Sequence, residues 1–169
     1  VRLQSAKVQP ISKECVKALI AAGDIETDAP GEVEKDIVAV LNAFLTEERK
    51  VNEKAKDLLA QTGRGMDQYG RVREQIAESH GIKVGDEALD YVLDQIVMTF
   101  HNSPSVDEIF VEDVELRRAM ARVFKKHLAD ASEVELEIRA QLKHVQEGTQ
   151  LWDIEYARVS EQFRKRRGT

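Results

Sequence analysis

A single cysteine, Cys15, stands in a chain of 169 residues, so no disulfide can close within it. That economy fits a reducing compartment. Three prolines and nine glycines are too few to punctuate a many-turned β-protein and favour a small number of long helices. No apolar run approaches the roughly 18–20 residues of a membrane span. The opening Val1-Arg2-Leu3-Gln4 has none of the apolar core of a secretory signal. Together these absences lead to the expectation of a soluble, cytoplasmic, helical protein with no membrane partner.

Catalytic and metal signatures are equally scarce. A di-iron helical bundle needs Glu-x-x-His pairs, yet none of His80, His101, His127 and His144 has a glutamate three residues before it. His127 and His144 share a predicted helix and lie 17 residues apart, roughly 25 Å at 1.5 Å per residue, so they cannot hold one ion. They read as exposed or capping histidines. Cys15 falls on an apolar stripe, which predicts a buried, inert thiol. There is no Gly-x-Ser-x-Gly elbow. Gly63-Arg64-Gly65 with Gly70 lacks the Gly-Lys-Ser/Thr of a phosphate loop and reads as a helix terminator followed by a turn. No enzyme activity, cofactor or metal is expected.

Two long apolar stripes are what the chain does have. The first holds Val33, Ile37, Val40, Leu41, Phe44, Leu45, Val51, Ala55, Leu58 and Leu59, and the second Leu116, Met120, Val123, Phe124, Leu128, Val134, Ile138 and Leu142. Steps of three and four residues mark one face of an α-helix. An offset of 83 residues lays one stripe on the other, Val33 on Leu116 through to Leu59 on Leu142. Two long helices are predicted, over residues 30–62 and 114–146. The polar run Glu47-Glu48-Arg49-Lys50 interrupts the first stripe and marks a place for a bend or break.

Shorter segments complete an all-α expectation of about six helices. Pro10 suits a first helical turn, and Ile11, Cys15, Val16, Leu19 and Ile20 form a stripe closed by Gly23. A helix from about Asp67 to His80 is stopped by Gly81. Asp86 is placed to cap the helix carrying Leu89, Val92, Leu93, Ile96, Val97 and Phe100. Each long helix is preceded by an extended snippet, 24–27 and 108–112, and Ile25 maps on Ile109. A minimal β-ribbon between the two would give a two-repeat, pseudo-symmetric arrangement. The repeats are residues 1–63 and 64–148. A C-terminal segment, 149–169, follows, with Thr149 as N-cap and Trp152, Tyr156, Val159 and Phe163 as an aromatic face docking across the long helices.

Charge is unevenly spread. The formal net charge is −6, but residues 64–113 hold 4 basic and 11 acidic side chains while residues 114–169 sum to +3. Arg118, Arg122 and Lys125 fall at i, i+4 and i+7 on one face of the second long helix, and Arg164-Lys165-Arg166-Arg167 forms a dense C-terminal cluster. Such cations suit carboxylates of a protein partner or, through counterion release, a phosphate backbone. An acidic chain, pI near 5.3, weighs against the second. Basic residues at helix ends also arise simply to complement the dipole.

Arg2-Leu3, Lys7-Val8, Gly23-Asp24-Ile25-Glu26 and Asn52-Glu53-Lys54-Ala55-Lys56-Asp57-Leu58-Leu59 form a recognisable set with Glu147-Gly148-Thr149-Gln150-Leu151-Trp152-Asp153-Ile154-Glu155-Tyr156. With them the whole chain resembles a bacterial family catalogued as domain of unknown function 507, most specifically in the segment around Trp152. The resemblance implies bacterial origin and a helical chain, and it brings no catalytic residue. The function expected from the residues is a non-enzymatic protein-interaction or adaptor module, binding another protein or itself. Nucleic-acid association through the same seven cations is the alternative.

Overall fold

The structure is a computed structural model. It describes residues 3–146 and 149–167, without the side chains of 129–134 and 167. Among these residues the chain forms α1 (Val8–Ala21), β1 (Ile25–Glu26), α2 (Pro30–Thr62), α3 (Tyr69–Ser79), α4 (Ala88–Asn102), β2 (Glu108–Ile109), α5 (Asp113–Gln141) and α6 (Gln150–Arg167), with short 3-10 turns before α1, α3 and α4. No helix among them is long and apolar enough to cross a membrane. Two compact units divide between Phe124 and Lys125: Leu3–Phe124 forms one, and the chain from Lys125 onward the other. The repeat boundaries drawn from the sequence, after residues 63 and 148, describe similarity along the chain and do not coincide with that division.

Pro30 occupies the first turn of α2, where its missing N–H leaves no bond unmade. Gly63, at φ +68°, ends the helix in the left-handed region, and the N–H of Arg64 returns to the Leu59 carbonyl. The inward face buries Val33, Ile37, Leu41, Phe44, Val51, Ala55 and Leu59. The break anticipated at Glu47–Lys50 does not occur. Glu48 takes the core position between Phe44 and Val51, is buried, and accepts a bond from Arg73 of α3 at 3.2 Å. Arg73 also donates to Asn52 at 2.7 Å. A charge in the stripe is therefore answered from a second helix, and α2 runs through unbroken.

The second long helix starts 83 residues after the first, at Asp113, but ends at Gln141 rather than 146. There Leu142 N–H is shared between the Ile138 and Arg139 carbonyls, and Val145 N–H returns to Leu142. This tightening turns Leu142 and Val145 onto α6. The capping role expected of Asp86 is also corrected. Gly85–Glu87 forms a 3-10 turn whose own Gly85 carbonyl accepts the Ala88 N–H, and no side chain caps α4. At the end of α1, Gly23 adopts φ +75° as the sequence requires, and Asp24 N–H closes on the Leu19 carbonyl.

The ribbon forms in the expected register: β1 and β2 are antiparallel, with Ile25 opposite Ile109 and Glu26 opposite Glu108. Bonds from Asp107 N–H to Glu26 O and from Phe110 N–H to Asp24 O flank it, both 2.9 Å. Burial follows the 83-residue offset. Val33 and Leu116, Ile37 and Met120, Leu41 and Phe124, Ala55 and Ile138, and Leu59 and Leu142 are all buried pairs; the Val134 side chain, facing Val51 in this scheme, lies outside the described residues.

The repeat extends further than the sequence pattern indicated. α3 packs Tyr69, Val72 and Ile76 against Ala55 and Leu59 of α2. α6 packs Trp152, Tyr156, Val159 and Phe163 against Ile138, Leu142 and Val145. Tyr69, Val72 and Ile76 precede Tyr156, Val159 and Phe163 by 87 residues each. Each long helix thus carries a short helix docked on its C-terminal part. The aromatic face of α6 is applied to the end of α5, and Thr149 caps it as expected, accepting the Trp152 N–H at 3.1 Å.

Candidate functional site

The inner face of α5 buries Leu116, Met120, Val123 and Phe124, which fixes the directions of its other side chains. Arg118 and Arg122 therefore stand in solvent; Lys125, which belongs to the other unit, is exposed as well. None of the three makes an ion pair among the described residues. Glu115, one turn before Arg118, does not pair with it. Their neighbour Arg117 behaves differently, donating to Asp94 of α4 at 2.6 Å, and so fastens the start of α5 to α4. His101, at the end of α4, reaches Asp113 at 2.7 Å and does the same one turn earlier.

Two apolar side chains precede this row. Phe110, just past β2, is 60% exposed, and Val114, in the first turn of α5, is 50% exposed. Sequence inspection missed both, because they sit within an alternating snippet and a helix start where apolar residues read as core. The informative signal was their phase: Val114 lies four residues before Arg118, on the outward face.

The C-terminal cluster is less available than its sequence implies. Arg164 is ion-paired with Glu161, and the Arg166 guanidinium lies 5.7 Å from the centre of the Phe163 ring. Lys165 is exposed. The Arg167 side chain lies outside the described residues. Arg158 is likewise held by Glu155 at 2.7 Å. Paired cations of this kind contribute little attraction for an incoming anion until their own carboxylates are displaced.

Between α2 and α4 lies a cleft of about 350 Å³, floored by Ala39, Val40, Ala43, Phe44 and Val92, with Asp36, Glu47 and Tyr91 among its polar lining. Its carboxylates are engaged. Asp36 accepts from Ser103 at 2.5 Å, and Glu47 accepts from Lys50 at 3.0 Å. The Lys50 bond, then His80, holds the Glu47 carboxyl below the ordinary carboxylate range. His80 joins this set with Nδ1 3.3 Å from Glu47 and Nε2 3.0 Å from the Lys54 ammonium. A carboxylate so stabilised is a weak base. No cluster of three metal-ligating side chains occurs among the described residues. Cys15 is buried in α1, and burial pushes its thiol up to about 12.

Along α5, Arg118 and Arg122 thus follow Val114 on the outward side, with Phe110 four residues before Val114, while Arg164 of the C-terminal cluster is paired within its own helix. No curated protein matches the sequence. A family model described as protein of unknown function (DUF507) matches residues 1–169, and the chain belongs to that family.

Proposed function

We propose that this chain is a non-enzymatic helical adaptor that binds another protein through the outward face of α5. The carrying observation is the pair of exposed cations Arg118 and Arg122, which make no ion pair among the described residues and follow exposed Val114 by one and two turns of α5, shortly after exposed Phe110 in the chain. Cations without an ion pair among the described residues supply orientation and encounter rate, while an exposed aromatic supplies the apolar centre that interfaces need. Binding by phosphate backbones is the second reading, favoured by those same cations and opposed by the exposed carboxylates Glu112, Asp113 and Glu115 beside them.

Affinity capture from the native host lysate, with and without nuclease, separates the two. On the adaptor reading, defined proteins survive nuclease treatment, and Arg118→Glu with Arg122→Glu lowers their recovery at least about tenfold, equivalent to ~1.4 kcal/mol, with thermal stability unchanged. Recovery of nucleic acid, with all protein partners lost on digestion, overturns it.

A further inference from the structure

The internal repeat supplies a control for which surface residues the fold itself requires. Counting from the ribbon, where Ile25 faces Ile109, Phe110 corresponds to Glu26; counting from the starts of α2 and α5, Val114 corresponds to Gly31, Arg118 to Lys35 and Arg122 to Ala39. All four first-half residues are exposed. The first half builds the same strand and helix start with a carboxylate, a glycine, a lysine and an alanine, so nothing in that architecture calls for phenylalanine, valine or a second cation. Even the shared charge is treated differently. Lys35 is closed by Glu32 at 3.1 Å, whereas Arg118 is not closed by Glu115, which stands in the place of Glu32.

From this we infer that Phe110, Val114, Arg118 and Arg122 form a docking surface for an acidic amphipathic helix of a partner protein, whose apolar turns cover Phe110 and Val114 and whose next turns bring carboxylates to the two arginines. The inference rests on the adaptor reading and specifies its partner. Spacing and charge select this occupant. Val114, Arg118 and Arg122 advance by four residues, the rise of about one turn, so carboxylates one turn apart on an antiparallel or parallel helix meet them in register. The apolar end is flanked in the chain by exposed Glu112, Asp113 and Glu115, which repel a continuous polyanion but tolerate a helix whose aliphatic side chains lie there. A single aromatic followed by valine also offers no succession of stacking faces for single-stranded bases.

The test uses the full chain and a fluorescent synthetic helical peptide with leucines on two successive turns and glutamates on the following two. Two control peptides replace the glutamates by lysine or the leucines by serine. The expected result is saturable binding of the first peptide alone, weakened at least about tenfold by Arg122→Ala and by Phe110→Glu. Raising salt should erode the arginine contribution first. Thermal unfolding of both variants should match the parent, since the first half carries alanine and glutamate at these places. Equal binding of the lysine peptide, indifference to Phe110→Glu, or preferential binding of an oligonucleotide of matched charge would each overturn the inference. If no peptide binds while Arg118→Glu with Arg122→Glu still abolishes nuclease-resistant capture, the adaptor reading stands and this partner chemistry falls.

Discussion

Glu48 is a polar residue whose replacement should be costly. Removing one partner of a buried ion pair strands the other charge, typically for 3–5 kcal/mol, and the partial exposure of Arg73 places Glu48→Ala at the lower end, about 3 kcal/mol. Urea denaturation of Glu48→Ala, Arg73→Met and the double variant checks this. The double variant should recover much of the loss, because it leaves no stranded charge. Cys15 yields a second expectation. A thiol whose folded value is raised from 9.0 to about 12 stays protonated in the native state. Its contribution to stability is full below about 9 and is lost as pH rises toward 12. At pH 8 a thiol-reactive dye should label Cys15 only as fast as the chain unfolds, and immediately in urea.

At the scale of elements, the ribbon sets Glu26 directly opposite Glu108, a like-charge pair that opposes strand pairing. Glu108→Lys should raise stability by about 0.5 kcal/mol in a denaturant titration, within the range of such cross-strand pairs. The ribbon was legible in the sequence because two isoleucines preceded two equivalent helices, and α2 was legible to its end residues because proline and glycine bracket its stripe. The continuity of α2 through Glu47–Lys50 was not, since the partner of Glu48 sits 25 residues away on a different helix and leaves no local trace. The correspondence of α3 and α6 was hidden for another reason. It rests on three positions only, and the four extra residues before α6 move it out of the 83-residue frame. On the α5 face, helical phase disclosed which arginines point outward. It did not disclose that Arg117 is tied to Asp94 or that the Arg164–Arg167 cluster is partly satisfied by its own helix.

For the molecule as a whole, the capture and peptide experiments address function, and the repeat itself poses a different problem. Two long helices with matching apolar faces each accept a short helix carrying Tyr, Val and Ile or Phe in the same order. During folding either short helix could settle on either long one, the mis-assembly to which repeated chains are prone. The Glu48–Arg73 pair is a difference between the two halves that would discriminate them. In the second half the corresponding residues are Ala131 and Ser160. Were α6 to occupy the place of α3, Glu48 would be buried against a serine instead of a guanidinium. Were α3 to occupy the place of α6, Arg73 would lose its carboxylate. Glu48→Ala combined with Arg73→Ser should therefore lower the yield of monomer on rapid dilution from urea, even where equilibrium stability is nearly restored. On this argument the ion pair serves as an address, telling two helix hairpins of matching apolar pattern apart while the chain is still choosing partners.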